Sequence, residues 1–171
     1  MSMDYPDLTA LPAELQKLAA ERSAVNVYRM AFHSPALAPA FLELADAIFQ
    51  SAPPHPLREL AILRVGHTYR APYEIHHHEN IGRLLGLDEA GIAAAESGST
   101  DGLTAQQTAV LALTDRLLAQ HTLTEADRAE ALEFLTVGEL SDLVLTVGFY
   151  QLVCNFLNTF GVTTEGEKAP Y

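Results

Sequence analysis

The chain of 171 residues contains one cysteine, Cys154, which leaves no disulfide framework and fits a reducing, cytoplasmic setting. Basic residues are scarce too. Ten Lys and Arg stand against 22 Asp and Glu, a formal charge of −12, and no stretch clusters the basic ones. That balance repels nucleic acid and anionic membrane, so neither is expected as a partner. The N-terminus lacks a basic start followed by an apolar run and does not read as a signal peptide. There is no glycine-rich phosphate loop, internal repeat or low-complexity tract. Nor does any run alternate Val, Ile, Thr and aromatic residues around a hairpin turn, so helical periodicity dominates and the expected fold class is all-α.

What is present is apolar. Hydrophobic residues make up 49% of the chain and charged residues 19%, which suggests that some apolar surface meets another subunit. Residues 143–164 form an uncharged stretch of 22 positions. Gln151, Asn155 and Asn158 interrupt it and its flanks are acidic, so it reads as a buried or subunit-interface helix rather than a membrane span. The length fits a single domain over residues 1–171, with 1–22 as an N-terminal helical extension.

Helix signals follow one another along the chain. Residues 8–22 give a short amphipathic opening. The next segment divides at His33-Ser34-Pro35, where Ser34 can cap and Pro35 can take the first helical position. Pro56 suits the first turn of a helix running to about Arg70, and Ala71-Pro72 starts another that ends at Gly86. Asp88 opens a short helix towards Ser97, Thr104 can cap the next, and Thr124 with Asp127 approaches a capping box. A last long helix follows Gly138.

The chemistry concentrates in "RELAILRVGHTYRAPYEIHHHENIGRLLG", residues 58–86. Adjacent helical residues point about 100° apart, so His76, His77 and His78 cannot share one metal. Residues four apart share a face, which stacks Glu74 with His78 and makes His78 the functional candidate; His76 and His77 read as solvated or interfacial positions. Glu74 and His78 supply two metal ligands, with Glu59 or His67 able to complete a set, but no Cys pair and no His-Glu-x-x-His motif is present. Glu59 lies in the first turn of a helix rich in Leu, Ile and Val. It is either an exposed acid at the positive helix end or a half-buried carboxyl needing a proton or a partner. A Glu59/Glu74/His78 cluster could hold a proton ready for transfer near neutral pH. An acid/base site ranks first, a self-satisfied polar face second and a metal site third.

"NVYRMAFHSPALAPAFLELADAIF", "LRELAILRVGHTYRAPYEIHHHENIGRLLGL" and "DLVLTVGFYQLVCNFLNTFGV" together resemble the carboxymuconolactone decarboxylase and alkylhydroperoxidase D-like (AhpD-like) superfamily, in its cysteine-free branch. The peroxidase motif there is Cys-x-x-Cys-x-x-x-His with a Glu twelve residues before the first Cys. The resemblance places that Glu on Glu59 and the His on His78, while the two Cys positions fall on Ala71 and Glu74. Thiol peroxidase chemistry needs an attacking and a resolving thiol, and neither position carries sulfur. Cys154, inside the uncharged helix, reads as a small buried hydrophobe.

The resemblance therefore implies the decarboxylase side of the superfamily: cofactor-free loss of carbon dioxide from a small carboxylated lactone, with reprotonation of carbon by an acid/base group. Glu59, Glu74 and His78 are the expected catalytic residues. Arg64 and Arg83 are candidates for the substrate carboxylate, with His67 and Tyr73 as further lining residues of the same cleft. The alternatives are an alkylhydroperoxidase-related protein without the Cys pair and a non-enzymatic helical binder. A small-molecule substrate, no metal or organic cofactor and a homo-oligomer, a trimer or a hexamer of trimers, complete what the resemblance implies.

Overall fold

The structure is a computed structural model and describes residues 3–51 and 53–165. Among these residues it contains nine α-helices and no strand: α1 (Ala13–Arg22), α2 (Asn26–Ala31), α3 (Ala38–Phe49), α4 (His55–Tyr69), α5 (Pro72–Leu84), α6 (Glu89–Ser97), α7 (Ala105–Gln120), α8 (Glu125–Ala131) and α9 (Val137–Phe160). The all-α class expected from the periodicity is what is found. The chain gathers into two compact units, one of Met1–Gln50 with Phe156–Tyr171 and one of Ser51–Asn155.

In the first unit, Leu11, Ala19, Ala31, Phe32, Ala38 and Leu42 form a core against which Tyr28, Phe41 and Phe156 pack. The opening segment is not one helix. A 3-10 turn at Leu8–Ala10 precedes α1, because Pro12, at the N-cap, cannot donate a backbone hydrogen bond inside a longer helix. Helix α3 likewise starts at Ala38 rather than Pro35. The Ser34 carbonyl accepts from the amides of Leu37 and Ala38 at 3.0 and 2.9 Å, which closes a turn, and Pro39 takes the first turn of the helix instead.

In the second unit α4 is the central element and packs against α5, α6 and α7. Its buried residues are Leu57, Arg58, Glu59, Leu60, Ala61, Ile62, Leu63, Val65 and Gly66, so nearly its whole circumference is covered. Leu60 and Leu63 meet Leu87, Ile92, Ala95 and Leu111 in one apolar cluster. Arg70 ends α4 in the left-handed conformation at φ 51°, and α5 returns antiparallel. Two glycines set how close it comes. A Cβ on Gly66 would stand 3.3 Å from Ile75 and 3.6 Å from Glu74, and one on Gly82 would stand 3.6 Å from the Cβ of Glu59. Glu59 and Glu74 are thereby brought to one seam.

The expected caps form. Asp88 accepts from the amide of Gly91, and Thr104 and Thr124 each make a full capping box, with Gln107 and Asp127. Gly86 turns the chain after α5 at φ 92°. Helix α9 is long and apolar enough to cross a membrane by length and composition alone, but half of its most apolar window is buried within the protein. That is the pattern of a core helix.

Candidate active site

Glu59 projects from the second turn's worth of residues in α4 into the seam with α5 and is 0% exposed. The alternative of an exposed first-turn acid is thereby excluded. Its Oε2 lies 2.6 Å from Nδ1 of His78, and its Oε1 accepts from Nε and Nη2 of Arg58 at 3.0 and 2.9 Å. On the far side of the imidazole, Nε2 of His78 lies 2.9 Å from Oε1 of Glu74. The i, i+4 spacing on α5 places these two side chains on the same face. The result is a continuous chain Arg58, Glu59, His78, Glu74, every member of which is buried.

Electrostatics fixes the state of the imidazole. Burial alone would drive the His78 pKa down, but the carboxylates of Glu74 and Glu59, reinforced by their hydrogen bonds, outweigh it and hold the pKa at about 10. His78 is therefore an imidazolium at neutral pH, with a donor at each nitrogen. Glu59 experiences the converse. Burial pushes its pKa up, while the charge of His78 and the guanidinium of Arg58 overcome that and leave it below the usual value. Two cations thus face two carboxylates, so the four groups share a dry seam without a net charge.

The surroundings are aromatic. The Tyr150 ring of α9 stands edge-on to His78 with centroids 5.0 Å apart, and Tyr73 lies against His77 at 4.2 Å. His77 is buried rather than solvated, because α5 turns the Tyr73/His77 face inward, whereas His76 is exposed. The thiol of Cys154 is fully buried. Burial first, and the carboxylate of Glu74 second, push its pKa well above the ordinary thiol range, which suppresses the thiolate.

The remaining sequence candidates stand apart from this chain. Arg64 donates to Asp115 at 2.6 Å and to the carbonyls of Ala95 and Glu96, so it caps the end of α6. Arg83 pairs with Glu89 at 2.7 Å and with Glu79 at 3.3 Å on the surface. His67 sits half-buried near the end of α4, where burial, ahead of the opposing charges of Glu96 and Glu79, holds its pKa below the usual value. Among the described residues, no group of His, Cys, Asp and Glu side chains is arranged to hold a metal ion. In the seam itself the imidazole lies between the carboxylates, so the three groups contact one another instead of converging on a common point.

Sequence reasoning missed Arg58 and Tyr150. The first had a local signal: Arg58-Glu59 is a charged pair set between Leu57 and Leu60 on a helix otherwise apolar, the arrangement expected of an internal ion pair. Tyr150 had none, since it reaches His78 from a helix far along the chain.

A scan against protein-family models finds no match, and neither does a search of curated proteins. Solved structures do match. An uncharacterized peroxidase-related protein with an alkylhydroperoxidase AhpD core, from Ralstonia eutropha JMP134, superposes with a TM-score of 0.81 at 21% identity over 96% of this chain and 92% of its own. Another uncharacterized peroxidase-related protein, from Silicibacter sp. TM1040, gives 0.80 at 19% identity over 98% and 93%. The debrominase Bmp8, solved as a variant in complex with 2,3,4-tribromopyrrole, gives 0.76 at 15% identity over 98% and 96%. What is shared at these identities is the fold, and this chain, with its single cysteine, has the AhpD-like fold.

Proposed function

We propose that the protein is a cofactor-free acid/base enzyme acting on a small cyclic organic acid, lactone or related carbonyl compound, with Glu74 as the group that exchanges a proton with substrate. The observation that carries this reading is the buried chain in which Glu59 and Glu74 flank a protonated His78 at 2.6 and 2.9 Å. Glu74 is the terminal member. Behind it, His78 is a proton store placed within transfer distance, and Glu59, itself anchored by Arg58, fixes the orientation of the ring.

A decarboxylation balances on these residues. The bond between the substrate carboxylate carbon and its neighbour breaks, carbon dioxide leaves, and the electron pair moves into a conjugated carbonyl. His78 passes its proton to the carboxylate of Glu74, which delivers it to the dienolate carbon, and solvent restores the imidazolium before the next turnover. One proton is consumed per carbon dioxide released. A small ring as substrate is in keeping with the tribromopyrrole held by the debrominase of the same fold. Thiol peroxidase chemistry is disfavoured, because Cys154 is the sole cysteine and its thiolate is suppressed.

A thermal-shift screen against muconolactones, aromatic-pathway acids and β-keto acids, followed by turnover assays on the hits, tests the proposal. Ligand binding raises the melting temperature of the folded state. The expected result is a hit that wild type turns over and that a folded Glu74→Gln variant binds but converts at least about a hundredfold more slowly, the usual weight of a general acid or base. Equal turnover by the two proteins would refute the role of Glu74.

A further inference from the structure

The end of α7, the turn into α8, α8 itself and the first turns of α9 surround a cavity of about 500 Å³ that opens to solvent. Its described lining residues all belong to the second unit, and none is a member of the chain Arg58, Glu59, His78, Glu74. The volume lies within the range of small-molecule sites. Local sequence sets the shape. His121 turns the chain after α7 in the left-handed conformation at φ 59°, Leu123 is buried, and Thr124 then caps α8. Leu117, Leu123, Leu140 and Val144 give the cavity an apolar wall.

Arg128 is the one Lys, Arg, Asp or Glu among the described residues that line it, in a chain with 22 acidic and 10 basic residues. The neighbouring acid is engaged elsewhere: Asp127 accepts from the amide of Thr124 at 2.8 Å and pairs with Arg116 at 2.8 Å. Nη1 of Arg128 donates to the carbonyl of Leu123 at 2.7 Å, which tethers the guanidinium to the turn. Its Nε and Nη2 make no hydrogen bond among the described residues. At two other arginines of this protein that edge holds a carboxylate. Arg64 grips Asp115 through Nε and Nη2 at 2.6 and 3.3 Å, and Arg83 grips Glu89 the same way at 2.7 and 3.3 Å. Arg128 offers the same fork beside an apolar wall, and no acid of the described chain takes it.

We propose that this cavity binds a small monocarboxylate with an apolar body of about ten carbons, its carboxylate on the Nε and Nη2 edge of Arg128 and its body against Leu117, Leu123, Leu140 and Val144. One guanidinium matches one carboxylate. A phosphate or a dicarboxylate would bring further charge that no second lysine or arginine of the described lining meets. Neither half of the ligand suffices alone, since the protein's charge of −12 repels small anions and an uncharged chain leaves the fork unpaired.

Titration calorimetry of the full chain with decanoate tests this, with decanol and acetate as probes that each lack one half. One decanoate per chain is expected to bind saturably, with a dissociation constant below about 1 mM. Decanol and acetate should each bind at least about tenfold more weakly, through loss of the charge-assisted pair or of the apolar contact. Arg128→Gln should weaken decanoate by about tenfold or more, and Arg128→Lys should recover only part of that, because a point charge lacks the fork. Val144→Trp should block the cavity, while Glu74→Gln should bind as wild type does. The proposal is overturned by absence of saturable binding or by binding unchanged in Arg128→Gln. Loss of binding in Glu74→Gln overturns it too, by placing the acid in the seam of α4 and α5. So does an affinity that falls as protein concentration is raised about a hundredfold, the sign of a second copy occupying the cavity. Should Arg128→Gln not fold, Val144→Trp decides: loss of decanoate binding supports the site and its survival rejects it.

Discussion

His78 carries a carboxylate against each ring nitrogen, and its energetics follow from that placement. In an unfolded chain its pKa would be about 6.5, whereas in the folded protein it is held at about 10. A raised pKa means that the folded state binds the proton more tightly. The stabilisation is complete below about pH 6.5 and is lost as pH rises towards and through 10. Glu59, held low, contributes in the opposite sense: its share is present above the ordinary carboxyl pKa and is lost as acid protonates it. Melting curves between about pH 6.5 and 10.5 should therefore show wild type losing stability with alkali, and a His78→Gln variant losing much less. At pH 6.5 that variant should be less stable by about 3–5 kcal/mol, because it leaves two buried carboxylates without their shared cation. Cys154 gives a second residue-level prediction. Thiol reagents should leave it untouched until the protein unfolds, and Cys154→Ser should match wild type in any activity found, which a peroxidase reading would not allow.

At the scale of elements, the site depends on how closely α4 and α5 lie, and each end of that hairpin was legible in the sequence. Pro56, Pro72 and Gly86 marked the helix limits to within a residue or two, because proline and glycine act through local backbone geometry that needs no tertiary context. Thr104 and Thr124 were legible for the same reason. Thr104→Ala should lower stability by about 1 kcal/mol through loss of the α7 capping box, and chemical denaturation measures it. The start of α3 was less legible: Pro35 and Pro39 both offer a first-turn proline, and the hydrogen bonds of the Ser34 carbonyl chose the second. The i, i+4 rule put Glu74 beside His78, and burial of a helix apolar nearly all round put Glu59 inside. The engagement of Arg64 by Asp115 and the approach of Tyr150 to His78 are contacts across 51 and 72 residues of chain, and no periodicity in one helix encodes them.

At the scale of the molecule, charge and apolar surface are separated. Twenty-two acidic residues keep the protein strongly negative, yet α9 offers a face free of charge beyond Asp142. The same helix carries Tyr150 to His78 on its buried side. The all-α AhpD-like fold was legible from composition and from three segments in a familiar order. The reaction was not, because a substrate is selected by the shape of a pocket assembled from several helices.

The central claim is that His78 is a buried imidazolium shared by Glu59 and Glu74. Nitrogen NMR of the labelled histidine rings, with His78 assigned by comparison with His78→Gln, reads this directly across about pH 6 to 9. Both ring nitrogens of His78 should keep the shift of a protonated imidazolium over that whole range, titrating only near pH 10. A neutral tautomer already present at about pH 7, as for a free histidine, would contradict the account and remove the proton store on which the proposed chemistry depends.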